Sequence, residues 1–431
     1  MRFPEYNRLR SLLLGEYSLS LLSNYLLMAS NIIAQVILVP FYLSTLGAAG
    51  FGLLVLLLAI INYATVGVGW LSGGLQRVLG EAFGTKNDAT FVQAIDVGKI
   101  IFLGYGVAVA LLGIGMVVFL DRSQIPLGVA IIAGLFLVAG YESAIERLAL
   151  ASAARLVAVN FLQVVQVLAY AISVVFVLRA GGGLFGVFAC QLGSVLVSRV
   201  LLPFCWQGKR PVAKHAVGAL HPLLLRLTGR MGAGYFLFAA LVLSSQSDVL
   251  LIGWLGGVEA AAQYTLLWKI AEVGVNALWR ISESWNPMLV RLDARNEHAA
   301  IKRQYWRVAT LLLVVAIPGG IAYALMGPWL TALWLGAEHA PKDPLGFALA
   351  GAAIVWVGLS RLPGMLAYSL ARFRLWNGIA CVEVMARLAL TAVLFPRFGY
   401  LAPLVALNVV HMCGIAVAYQ WAGWRMLAGR A

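Results

Sequence analysis

Lys269 and Glu272 stand inside the stretch YTLLWKIAEVGVNALWRISESWNP, Tyr264 to Pro287, where most neighbours are apolar. Charge is costly in such a setting, so its spacing is informative. At about 100° per residue, Thr265, Lys269, Glu272, Asn276, Arg280 and Glu283 fall within an arc of about 80°, a narrow hydrophilic seam on an apolar helix. A second set, Glu383, Arg387 and Thr391, recurs at i, i+4, i+8 and stacks on one helix face. Asp248 follows Ser244 by one turn in SSQSD, and Arg361 lies just before Pro363. Ammonium and guanidinium groups hold phosphate, which makes Lys269, Arg387 and Arg361 candidate anion ligands. Asp248, Glu272 and Glu383 are candidates to exchange a proton. Lys269–Glu272 and Glu383–Arg387 also read as neutralised internal pairs that only hold a helix bundle together.

The first half of the chain is polar but almost uncharged in its apolar runs. Ser20, Asn24, Asn31 and Gln35 align on one face; so do Asn62, Thr65, Gly69, Gly73 and Gln76, and Asn160, Gln163, Gln166, Tyr170 and Ser173 follow further on. Such amides and hydroxyls meet sugar hydroxyls, or bond neighbouring helices. Cationic groups in one half and amide, hydroxyl and aromatic groups in the other suit a large, hydrated anionic substrate. Cys190, Cys205, Cys381 and Cys413 are scattered singly and read as small hydrophobes. The five histidines, His215, His221, His298, His339 and His411, form no ligand cluster in the sequence, so neither a metal nor a cofactor is expected.

The elements that must position these groups are apolar helices. Hydrophobic residues make up 62% of the 431 and charged residues 11%, against about 25% charged in soluble domains. Apolar runs of about 20 residues, long enough for a hydrocarbon core of about 30 Å, recur from end to end. Breaks at Gly, Pro and charge divide them into twelve expected spans: 19–42, 51–75, 98–120, 125–145, 156–178, 184–205, 230–254, 259–281, 307–330, 346–370, 376–395 and 400–424. The first is too long for a signal h-region and reads as a retained helix.

The fold class is therefore an all-α integral membrane protein. Most Lys and Arg fall in the N-terminal tail and in alternate connections; only Arg122, Arg179, Lys342 and Arg397 fall in the others. That bias puts both termini in the cytoplasm. It accounts for the net charge of +14 without nucleic-acid binding and leaves room for anionic headgroups at the inner leaflet. The basic connection 206–229 separates an N-terminal lobe, 1–205, from a C-terminal lobe, 230–431. STLGAAGFGLLVLL and IGWLGGVEAAAQYTLL form a faint echo between the halves, each Leu-Gly, small residues, then a return into the membrane. Tight membrane turns favour Gly and Ala in any case.

NIIAQVILVPFYLSTLGAAGFGLL, GVGWLSGGLQRVLGEAFGTKND and SSQSDVLLIGWLGGVEAAAQYTLLWKIAEVGVNALW together resemble the polysaccharide transporter family, the Wzx-type flippases of the multidrug/oligosaccharidyl-lipid/polysaccharide exporter superfamily. The resemblance spans nearly the whole chain. It implies two six-helix lobes around a central cavity, alternating access, and movement of an undecaprenyl-diphosphate-linked oligosaccharide to the periplasmic leaflet of a bacterial inner membrane, with no bond made or broken. On that reading Lys269 and Arg387, helped by Arg361, meet the diphosphate. Asn31, Gln35, Asn62, Gln163, Tyr170 and Asn276 line the sugar path. Asp248, Glu272 and Glu383 serve in coupling or ion pairing, and Arg280 and Glu283 form a cytoplasmic gate. The expected partners are the lipid-linked oligosaccharide, membrane lipids, an H+ or Na+ coupling ion and polysaccharide-assembly proteins. A multidrug or small-cation exporter of the same superfamily is the main alternative, and it favours an acidic cavity. A membrane glycan polymerase or ligase is a distant one, since the outside connections are short and hold one histidine, His339.

Overall fold

A computed structural model describes residues 4–119, 125–206, 232–285, 288–289, 292–293, 297–370 and 373–427. The secondary structure of the described residues is helical throughout, as the apolar runs require: inside a bilayer only a helix or a closed barrel satisfies its own backbone polar groups. The helices are α1 (Pro4–Ala64), α2 (Val66–Gly84), α3 (Asp88–Phe119), α4 (Leu127–Ser152), α5 (Leu156–Arg179), α6 (Gly183–Trp206), α7 (Gly232–Ser284), α8 (His298–Leu335), α9 (Pro344–Ser369), α10 (Phe373–Phe398), α11 (Ala402–Val410) and α12 (Ala416–Leu427). A 3₁₀ turn, Gly399–Leu401, joins α10 to α11, and a π turn, His411–Ile415, joins α11 to α12.

Nine stretches among the described residues are long and apolar enough to cross a membrane, which makes this a multi-pass membrane protein. Two of them, Leu22–Gly69 and Leu375–Leu427, run to 48 and 53 residues, more than twice the about 20 that one crossing takes. Both are interrupted, and so is α7. Gly47 breaks α1 with φ 72° and ψ 174°, and Gly257 breaks the 53-residue α7 with φ 80° and ψ −178°. These are nearly the same backbone conformation, one that only glycine adopts without strain. The two sequences that echo each other thus make the same break. The Leu375–Leu427 stretch turns at Gly399, whose φ is also positive, 53°.

The chain divides into two compact units: Met1–Leu46 with Gly67–Met231, and Gly47–Val66 with Gly232–Ala431. The second unit therefore takes in the part of α1 that follows the Gly47 break. There Gly52 lies so close against the backbone of Val258 that no side chain would fit between them, and Leu56 packs under Gly253. Tyr63 and Ser247 exchange a hydrogen bond of 3.4 Å. The 206–229 connection, beyond Trp206, lies outside the described residues. The core of the second unit is apolar and aromatic, with Tyr264, Leu267, Ala271, Leu312, Phe347, Trp376 and Tyr419 all buried.

Candidate functional site

Within this apolar core the second unit buries a group of charges. Asp248, on α7, and Arg387, on α10, are 3% and 4% exposed. Arg387 Nη2 donates to Asp248 Oδ2 at 3.1 Å. The Tyr264 hydroxyl, also on α7, donates to the same oxygen at 3.1 Å. The other guanidinium nitrogen, Nη1, is 4.0 Å from Glu383 Oε1, one turn back on α10. Glu383 Oε2 accepts the hydroxyl of Tyr419 from α12, and His411 brings its Nε2 to within 3.8 Å of Oε1. Trp376 covers Tyr419 with ring centroids 4.2 Å apart. Thr391, fully buried, continues the α10 face.

Helix geometry brings these groups to one level. Asp248 and Tyr264 flank the Gly257 break by nine and seven residues, which is about 10–14 Å at 1.5 Å per residue. Arg387 and His411 flank the Gly399 turn by twelve residues each, about 18 Å. Each group therefore lies well inside its helix, where an ionisable side chain marks function by default. Among the described residues no set of His, Cys, Asp and Glu has metal-holding geometry.

The other charged seam lies along α7. Lys269 Nζ bonds Glu272 Oε2 at 2.9 Å, and the carboxylate side chain is the more exposed partner, 41% against 24%. Arg280 reaches Glu283 at 2.9 Å. Glu283 also receives Arg361 from α9 at 3.3 Å, and that guanidinium stacks over Trp279 at 4.8 Å. Each deep cation expected to meet an anion is thus engaged with at least one carboxylate: Lys269 with Glu272, Arg361 with Glu283, Arg387 with Asp248 and Glu383. Asn276 is half-buried on the same helix.

The uncharged candidates are spread more widely. Asn31 satisfies itself on the Leu27 carbonyl of its own helix, 2.8 Å, and Gln35 is exposed. Asn62, expected with the first lobe, belongs to the second unit and is exposed. Gln163 is half-buried on α5. Tyr170 shares a hydroxyl–hydroxyl contact of 2.5 Å with Tyr42, and Gln191 donates to Tyr170 at 3.5 Å. The first unit also holds charge that the stripes did not reveal. Lys99 pairs with Glu146, Arg199 meets Glu142 at 2.6 Å, and Arg147 donates to Gln166 at 3.3 Å.

Sequence reasoning missed His411, Tyr264 and Tyr419. The histidines form no ligand cluster in the sequence, yet His411 joins a group built of carboxylates and an arginine rather than of metal ligands. Its only signal was position, a lone histidine inside the apolar run 400–424.

No protein-family profile matches the sequence, and no curated protein sequence matches it. Solved structures do resemble the fold. The inward-facing conformation of a multidrug resistance MATE family transporter of the MOP superfamily superposes with a TM-score of 0.67 at 11% identity, over 94% of each chain. The outward-facing conformation of such a transporter gives 0.61 at 13% identity, over 96% of this chain and 94% of that one. A mutant of the Vibrio cholerae MATE transporter VcmN gives 0.64 at 15%, over 96% and 98%. This chain has the MATE transporter fold.

Proposed function

We propose that the chain is an ion-coupled exporter of the bacterial inner membrane that moves amphipathic, cationic or neutral solutes by alternating access. The observation that carries this reading is the pairing of its deep bases. Lys269, Arg361 and Arg387 each stand against a carboxylate, and the more exposed member of the α7 pair is Glu272. An acidic group at the accessible position attracts a cation and repels a diphosphate. The fold supports the same reading, since it is shared with transporters described as multidrug resistance proteins in inward- and outward-facing conformations. In this reading the Asp248–Arg387–Glu383 cluster carries the coupling ion, H+ or Na+, and the solute path makes and breaks no covalent bond. The Lys/Arg bias of the connections supports cytoplasmic termini.

A second reading, flipping of a diphosphate-linked oligosaccharide, has one observation in its favour. The Lys269–Glu272 pair is half-exposed, and such pairs contribute only about 0–1 kcal/mol, so a diphosphate is able to displace the carboxylate and take the ammonium. Two variants separate the readings. Glu272→Gln is expected to abolish export of a lipophilic cationic dye from an efflux-deficient bacterium while Lys269→Ala leaves at least half of it. The flippase reading expects the reverse dependence in restoring surface glycan to a flippase-deficient strain: loss with Lys269→Ala, none with Glu272→Gln. Wild-type chain that exports no dye yet restores glycan overturns the exporter reading.

A further inference from the structure

His411 leaves one ring nitrogen facing a carboxylate. It opens the π turn and is 1% exposed. Its Nδ1 lies 2.9 Å from the Leu407 carbonyl oxygen, one turn back. A carbonyl only accepts, so Nδ1 carries the ring hydrogen and donates it. In the neutral ring Nε2 then presents a lone pair, and what it faces at 3.8 Å is Glu383 Oε1. Nε2 makes no hydrogen bond among the described atoms. Two acceptors aimed at each other in a low-dielectric interior repel, and a proton on Nε2 turns the same contact into an ion pair.

Charge counting agrees. Among the described residues two carboxylates, Asp248 and Glu383, and one guanidinium, Arg387, leave the cluster one negative charge in excess while His411 is neutral. One added proton makes it neutral, the condition that favours burial. Asp248 Oδ2 is already held by Arg387 and Tyr264, and Glu383 Oε2 by Tyr419; Asp248 Oδ1 is buried and faces no hydrogen-bond partner among the described atoms. The His411–Glu383 contact is where a proton adds an attraction.

We propose that His411 and Glu383 share one exchangeable proton, that this proton is the coupling ion, and that Arg387 takes the position from which a metal cation would neutralise the two carboxylates. The inference rests on the ion-coupled transporter reading and narrows its ion to H+. The proton arrives from water at one membrane face, forms the N–H bond at Nε2, and leaves from it to water at the other; no electron moves. Among the described residues the charged groups that act on His411 are Glu383 and Arg387, both from α10. Behind them stand Asp248 and Tyr264 from α7 and Tyr419 from α12. α9 meets the end of α11 through the Leu349 carbonyl, which accepts from Asn408.

The test needs no transported solute. Full-length protein in liposomes is titrated by infrared difference spectroscopy in choline chloride, then in NaCl at equal ionic strength. One protonation step is expected, with the same midpoint in both salts, and lost in both His411→Gln and Glu383→Gln. Tyr419→Phe keeps every charge and is expected to move the midpoint by about one pH unit, a tenfold change in proton affinity; it serves if the other two variants do not insert. A step untouched by these variants, or a midpoint that follows Na+, overturns the proposal. Solute transport that stays proton-driven in His411→Gln overturns the coupling role. A proton step in a chain that transports nothing leaves the site standing and counts against the transporter reading alone.

Discussion

Arg387 differs from Lys269 in what its removal leaves behind. Its side chain is 5% exposed and lies between two carboxylates, so Arg387→Met leaves the buried Asp248 and the largely buried Glu383 side chain without their shared partner. Breaking a buried pair from one side costs about 3–5 kcal/mol. The variant is expected to lose that much in a detergent thermal or chemical unfolding measurement, and Asp248→Asn in the same chain is expected to restore part of it. Lys269→Ala, by contrast, opens a half-exposed pair and is expected to cost under about 1 kcal/mol. Half of this contrast is legible in the sequence, because Glu383, Arg387 and Thr391 share a helix face by spacing alone. The other half is not. Asp248 and Arg387 are far apart in the chain, and nothing in the local period of either helix says that one faces the other. The lone His411 carries still less local signal, since its partner is a turn of α10 rather than a neighbour of α11.

Helix breaks are the element-scale feature that sets the depth of these residues. Leu-Gly followed by small residues was legible as a membrane turn, but its conformation was not. The structure puts Gly47 and Gly257 in matching positive-φ, extended-ψ backbone, where a Cβ is strained even though open space surrounds both positions. Gly257→Ala is therefore expected to destabilise the protein by about 1–3 kcal/mol through backbone strain alone. Gly80, a helical glycine of α2 with equal space around it, is the control. There alanine is expected to be neutral or to stabilise by up to about 1 kcal/mol, because helical φ and ψ suit it. Unfolding midpoints of the two single variants check the contrast. Equal loss in both would mean that crowding, not backbone conformation, limits these turns.

At the scale of the molecule, chain order misleads. Two successive halves are the natural reading of a basic connection between six apolar runs and six more, yet residues 47–66 group with 232–431. The reason is local packing that hydropathy does not encode: the Gly52 backbone against Val258, Leu56 under Gly253, and Tyr63 on Ser247. The second unit is thus incomplete in any fragment that starts after residue 231. A fragment of 232–431 expressed alone is expected to expose the surface that 47–66 covers and to be degraded or aggregate in the membrane. Co-expression of 1–206 supplies that segment and is expected to recover a protease-resistant 232–431 fragment. Co-expressed 1–206 carrying Gly52→Leu is expected to fail, because the added side chain meets the Val258 backbone, which has no rotamer by which to yield. Limited proteolysis of the three membranes reads the result. A fragment equally resistant with and without 1–206 would show that residues 232–431 fold without the segment from α1.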